Sequence, residues 1–477
     1  MKLKNILPAL LMACLGLSLG LTTTGCSDKF PTNVESPDKA ELLGLKIINA
    51  GKNGDQVVEG VVDDFSKTIS FPRIDPETDL SALKFEAKMA PGGALDKETY
   101  AVEVPEGSDR QTIIVKVVNG KHFREYFATI RLLVPVYGAD FDKTKIHDYT
   151  AATLKDSHPE YNGFGGLVTR GAGMSEKWVV VPARSSVGAH VFRTEDLLAG
   201  KFDPIKLNTN GISGGIFPIN MAEVIGDHIY ISNLAGALNA KVYHWTDPSK
   251  APDLLLKFDA NNIDGGGKRY FDNFSITLDE QGNGFIYTGD NAQTNILRFP
   301  VKGFTQADAD ACSVLSSHKG QSPYVTMLRA GNSKYYLLNG FEMPLKVTDA
   351  EGNALYTTGS TTLPVNLQSS RVVYFNGERY LIGVTAARRG EQSPVLMVYN
   401  ITKGKDELEG IKILDESGQK PLLEVSLQGT TNAAPGTNTG YFIKKDKDGK
   451  DATLYLFGFH SDAGFAIAEI PAKTLDD

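Results

Sequence analysis

The sequence predicts an all-β chain, an N-terminal Ig-like β-sandwich followed by a β-propeller. Two features carry that prediction. Short runs of alternating apolar and polar residues fill Glu41 to about Val136, and beyond Gly138 a unit of aliphatic- and aromatic-rich strands recurs, punctuated by Gly, Pro, Asn and Asp.

The chain opens with Lys2 and Lys4, an apolar run from Ile6 to Leu21, and then Leu21-Thr-Thr-Thr-Gly25-Cys26. A basic start, an apolar middle and small residues before a Cys make residues 1–25 a lipoprotein signal peptide, with acyl chains expected on Cys26. Thr23 stands where Leu is usual, and Leu11-Met-Ala-Cys14 is a competing site, but cleavage there leaves too short an apolar core. The run is also too short, and ends too polar, for a retained transmembrane helix. Residues 26–40, with Pro31 and Pro37 in a polar setting, read as a tether.

Residues 41–136 carry the sandwich. Leu83-Lys-Phe85-Glu-Ala87-Lys-Met89 puts apolar side chains on one face and charged ones on the other, as a half-buried strand does. Similar runs lie at Leu43–Ile48, Lys67–Phe71, Tyr100–Val104, Thr112–Val118 and Tyr126–Leu132, giving six or seven strands and an Ig-like sandwich.

Residues 137–477 carry the propeller. Its clearest repeating strands begin at Trp178, His228, Phe285, Tyr335, Tyr380 and Leu454, at spacings of 50, 57, 50, 45 and 74 residues. Each is followed by a further strand, at His190–Arg193, Val242–Trp245, Ile296–Phe299, Leu345–Thr348, Val395–Tyr399 and Phe465–Ile470. Four strands per unit is propeller-blade spacing. Six blades are favoured, and the 74-residue interval leaves room for a seventh. The stretch from about Tyr137 to Ala152 is expected to supply the outer strand of the last blade, so that the chain ends close the ring and leave no open sheet edge.

The 49 basic and 57 acidic residues become 47 and 57 once residues 1–25 are removed, a net charge of −10 that disfavours a nucleic-acid partner. Of three cysteines, Cys14 leaves with the signal and Cys26 carries lipid, so Cys312 has no disulfide partner. The eight His residues show no metal-ligand spacing, and no metal or cofactor is implied. Gly211-Ile-Ser213-Gly-Gly215 matches a nucleophile elbow in letters only. It lacks the flanking strand and helix, so it reads as a Gly-rich loop and no catalytic residue is assigned. Lys445-Asp-Lys-Asp448-Gly-Lys-Asp451 reads as a hairpin turn rather than a calcium loop.

In a propeller, the loops joining second to third strands, and blade to blade, meet on one face around the axis. On this register they carry Arg184, Phe217, Asn233, Arg269, Tyr270, Phe271, Asp272, Asp290, Asn291, Arg388 and His460. Aromatic planes among paired donors and acceptors suit a sugar, and these residues form the expected ligand-binding face. The bland alternative is that Phe217, Tyr270 and Phe271 plug the loop ends.

A Cys26 lipoprotein signal, an Ig-like domain starting near Leu42-Leu-Gly-Leu-Lys-Ile and a repeat-rich β domain together resemble lipoproteins of Gram-negative gut anaerobes, among uncharacterised Ig-plus-propeller families. Ser27-Asp28 after the Cys is similar to their surface-export signal, although Lys29 interrupts it. The resemblance implies an outer-membrane, cell-surface lipoprotein, anchored to the membrane through lipid, that binds glycan without catalysis for a polysaccharide-uptake system and its transporter complex. The alternatives are an adhesin or structural surface protein, and a propeller glycan lyase or glycosidase.

Overall fold

A computed structural model describes residues 39–474, apart from 106–107, 134–135, 165–167, 185–186, 293–294, 316–323, 341, 360, 388–392, 431, 433 and 435. The chain forms two compact units, divided between Pro135 and Val136. Among the described residues no helix is long and apolar enough to cross a membrane.

The first unit is all β. Its strands lie in the order Phe85–Met89, Leu42–Ala50, Gln56–Asp63, Thr68–Ser70, His122–Arg131, Arg110–Asn119 and Ala94–Leu95. Thr68–Ser70 runs parallel to His122–Arg131. Leu45, Ile47, Phe71, Val115, Val117 and Tyr126 meet in its core. The run expected at Tyr100–Val104 forms no strand. Among the described residues Tyr100 forms an isolated bridge with Leu83, and the Val102 N–H donates to the carbonyl of Leu80 in a 3-10 turn, so its partners offer no extended edge to zip against. Gln56–Asp63 is a strand that the pattern did not announce, because none of its residues is buried and its apolar residues do not alternate with polar ones.

The second unit is a six-bladed β-propeller. Blade 1 comprises Gly173–Met174, Trp178–Pro182, Ala189–Arg193 and Ile205–Lys206, and blade 2 comprises Ala222–Ile225, His228–Ser232, Ala240–Trp245 and Asp253–Phe258. Blade 3 has Ser275–Leu278, Gly284–Gly289 and Ile296–Lys302, with Gln306–Ala307 and Ser313–Leu315 sharing the outer edge. Blade 4 has Thr326–Arg329, Tyr336–Asn339, Lys346–Thr348 and Ala354–Thr357, and blade 5 has Leu367–Phe375, Glu378–Thr385, Val395–Asn400 and Leu423–Ser426. Blade 6 takes Thr437–Lys445, Asp451–His460 and Gly464–Pro471 from the C-terminal end and Lys145–Thr150 from the start of the unit. That outer strand closes the ring where the sequence placed it.

The energetic reason for six blades lies in where the apolar side chains go. Because each sheet is covered on both faces by its neighbours, the second strand of a blade is a continuous buried run, as all five residues of Trp178–Pro182 are. Alternate residues along it face opposite ways: Val179 and Val181 pack with Phe457 and Phe459 of blade 6, while Trp178 and Val180 pack with Ile229 and Ile231 of blade 2. The described residues form one such cluster at each of the six junctions between neighbouring blades. The 74-residue interval holds no extra blade. Part of its extra length goes into the 11-residue helix Glu407–Ser417, capped by Asp406 and ended by Gly418 at φ +64°, whose Ile411 and Leu414 join the core between blades 4 and 5.

Candidate functional site

The first strands of the six blades line the axis, and their approach is close enough to dictate residue size. A Cβ on Gly173 would sit 2.9 Å from the Val224 nitrogen, and one on Gly440 would sit 3.0 Å from the Met174 carbonyl oxygen. Toward the hairpins between first and second strands the walls splay into a funnel of about 390 Å³, to which all six inner strands contribute. Ile276, Leu328 and Tyr441 supply apolar surface, and Arg329, Asn332 and Arg371 supply polar groups. Tyr441 keeps 37% of its surface exposed.

Arg371, which lines this funnel, reaches across the axis. Blades 2 and 5 are opposite in a ring of six, and Arg371 of blade 5 donates to both carboxylate oxygens of Glu223 of blade 2, at 3.3 and 3.0 Å, while its Nε donates to the Thr439 carbonyl at 2.9 Å. Burial pushes the Glu223 carboxyl up and Arg371 opposes the shift. Asn438 of blade 6 donates to the carbonyls of Ala172 and Ala222 at 2.8 and 3.2 Å, so side chains from blades 2, 5 and 6 tie the waist of the channel, with blade 1 joined through its backbone.

At the other end, where the blade-to-blade loops and the second-to-third-strand loops lie, a second arginine crosses the axis. Arg170 leads into the inner strand of blade 1, and its guanidinium lies 5.4 Å over the ring of Tyr324, which leads into that of blade 4, the opposite blade. Arg170 is buried, and burial draws its pKa down against the pull of Asp272, Tyr324 and Asp462.

Five of the residues expected on this face come together around Arg170. Arg184 donates from Nε to the Asn220 Oδ1 at 2.8 Å, lies 4.4 Å over the Phe217 ring, and is drawn down to about 9 by burial and by the charge of Arg170. Arg269 pairs with Asp272 at 2.8 Å. His460 is buried, held at about 4 by desolvation, and its Nε2 accepts from the Ala387 N–H at 3.2 Å. Beside it Asp462 accepts from the Thr169 N–H at 2.9 Å and from Asn432 at 2.8 Å, and burial pushes it up to about 6.

The other expected residues hold the fold. Tyr270 and Phe271 are not loop-tip surface: both have no exposed area, and they pack against Phe258 in the core between blades 2 and 3. The Tyr270 hydroxyl accepts from the Gly267 N–H at 2.9 Å and donates to Asn295 at 2.7 Å, so the Gly-rich loop folds its aromatics inward. Asn233 braces its own loop between the Lys241 N–H and the Asn239 carbonyl, and Asp290 accepts from the N–H groups of Lys268 and Arg269. Asn291 contributes its backbone N–H to the Arg269 carbonyl. Arg388 and Cys26 lie outside the described residues.

Arg170, Arg371 and Tyr441 escaped the sequence reading. Arg371 and Tyr441 lie inside strands, where no loop-based search looks. The one signal for Arg170 is a lone charge between small residues, Thr169-Arg170-Gly171-Ala172-Gly173, just before an inner strand.

A crystal structure of a DUF4623 family protein from Bacteroides eggerthii DSM 20697 is 35% identical to this chain, superposes with a TM-score of 0.75, and covers 91% of this chain and 99% of its own. A quinonprotein alcohol dehydrogenase-like protein from Bacteroides thetaiotaomicron VPI-5482 matches at 10% identity and a TM-score of 0.30, over 72% of this chain and 91% of its own. A bifunctional GH43-CE protein of Bacteroides eggerthii matches at 14% identity and a TM-score of 0.30, over 57% of this chain and 35% of its own. No curated protein matches the chain. Residues 28–473 match the family described as Domain of unknown function (DUF4623), and the chain belongs to that family.

Proposed function

We propose that this protein is a surface lipoprotein, anchored to the outer membrane through Cys26, whose propeller holds a glycan without cleaving it, the first unit serving as an Ig-like spacer. The observation that carries the binding reading is the axial funnel. It is concave, it is built by every blade, and it mixes the exposed ring of Tyr441 with Arg329, Asn332 and Arg371. A sugar needs that combination, since its C–H face packs on a ring while its hydroxyls take directional partners. The non-catalytic reading is supported by Glu223, whose carboxylate at the waist is engaged by Arg371.

Binding through scattered hydroxyl contacts is weak, of the order of millimolar to micromolar per site, and strengthens when a polymer engages several copies. Pull-down on insoluble polysaccharides, with Tyr441→Ala beside the wild type, is the direct test. Retention of the wild type and its loss in a variant of unchanged melting temperature is the expected result. Equal retention of the two removes the funnel reading, and release of reducing ends would make the protein an enzyme. Fatty-acid labelling that persists in Cys26→Ser would remove the anchor.

A further inference from the structure

We propose that Arg170, with Arg184 and Arg269, forms an oxyanion site at the loop-bearing end of the axis, taking a carboxylate, sulfate or phosphate group of a ligand. The site is separate from the funnel and does not depend on its ligand.

The case rests on the donors of Arg170. Its side chain is buried, at 1% exposure, yet among the described residues neither Nε nor either terminal nitrogen has a hydrogen-bond acceptor. A guanidinium carries five N–H donors in a rigid fork and stays charged, so burying it with none of them engaged is a cost that folds avoid unless a ligand meets them. Its two neighbouring carboxylates have other partners. Asp272 accepts from the Arg269 Nη2 at 2.9 Å, with its Oδ2 2.8 Å from the Arg269 Nε but outside hydrogen-bond geometry, and Asp462 is held by the Thr169 N–H and by Asn432.

Charge points the same way. Among the described residues three guanidiniums face two carboxylates here, and Arg184, which donates to the neutral amide of Asn220, feels the repulsion of both Arg170 and Arg269. Protonation of Asp462, which burial favours, enlarges the surplus of positive charge. A planar or tetrahedral oxyanion matches the fork geometry of arginine and would neutralise that surplus. Backbone strain gathers at the same place. Tyr324, over which Arg170 lies, has φ +66°, and Asp462 has φ +58°, conformations that non-glycine residues hold only when their surroundings impose them.

The test is isothermal titration of the whole protein with sulfate, phosphate and glucuronate, in chloride buffer of matched ionic strength, against glucose as a neutral control. Saturable one-to-one binding of at least one anion, weakened tenfold or more in Arg170→Gln and in Arg184→Gln, is the expected outcome. The preferred anion then separates a carboxylate ligand from a sulfated or phosphorylated one. Absence of saturable binding for all three, or binding unchanged in the variants, overturns the site. Should Arg170→Gln not fold, Arg184→Gln and a selenate-soaked crystal decide. An anomalous peak within hydrogen-bond reach of Arg170 supports the site, and water alone around it overturns it. Polysaccharide retention through Tyr441 is read separately, so either proposal can fail without the other.

Discussion

Arg371 and Glu223 sit on opposite blades and meet across the propeller axis at 3.0 Å. The pair is largely buried, so each charge depends on the other for the hydration it has lost. Arg371→Met should therefore destabilise the propeller by about 3–5 kcal/mol, since it strands a buried carboxylate. Glu223→Leu combined with Arg371→Met should recover most of that loss. Urea denaturation of single and double variants checks this, and a double variant no more stable than the single would refute the coupling.

His460 and Asp462 should oppose one another in the pH dependence of stability. Asp462 is raised to about 6 in the folded protein, so between about pH 4 and 6 the native state holds a proton that the unfolded chain has released, and stability falls as pH rises. His460 is lowered to about 4, so over nearly the same range the unfolded chain holds the extra proton and stability climbs with pH. Each contributes a slope of up to about 1.4 kcal/mol per pH unit, and in the wild type the two largely cancel. Relative to wild type, His460→Gln should lose stability with rising pH in this window and Asp462→Asn should gain it. Parallel curves for the three proteins would show that neither group titrates as the structure requires.

Tyr270 should behave as a core residue. Tyr270→Ala is expected to cost about 3–5 kcal/mol, as large-to-small changes in aromatic cores do. Tyr270→Phe keeps the ring but strands the Gly267 N–H and the Asn295 side chain, for about 1–3 kcal/mol. Thermal melts of the two variants distinguish this from a surface aromatic, for which both would melt within a degree or two of wild type.

Closure of the ring depends on Gly464. It pairs with Thr150 of the closing strand at φ +86°, and a Cβ there would lie 2.7 Å from the Tyr149 carbonyl oxygen. Gly464→Ala should cost about 1–3 kcal/mol and loosen Lys145–Thr150 first. Hydrogen exchange reads this directly: amides of that strand should lose protection ahead of the other blades. Uniform protection would mean that the closure does not hinge on this residue.

What the sequence determined by itself was the architecture of the propeller. Runs such as Trp178–Pro182 are apolar on both faces, and their recurrence favoured six blades, with a seventh left open, and marked the second and third strands and the closing role of the segment around Lys145–Thr150. Those properties are local, since a buried strand needs apolar residues whatever it packs against. The site was not local. Tyr270 and Phe271 look the same in sequence whether a loop turns them out to a ligand or in to Phe258, and only the packed structure turned them in. Arg170 and Arg371 are single charges in unremarkable segments, and their partners Tyr324 and Glu223 lie about 150 residues away. A ring brings its opposite blades together at the axis, so which charges face each other there is decided by closure of the whole fold.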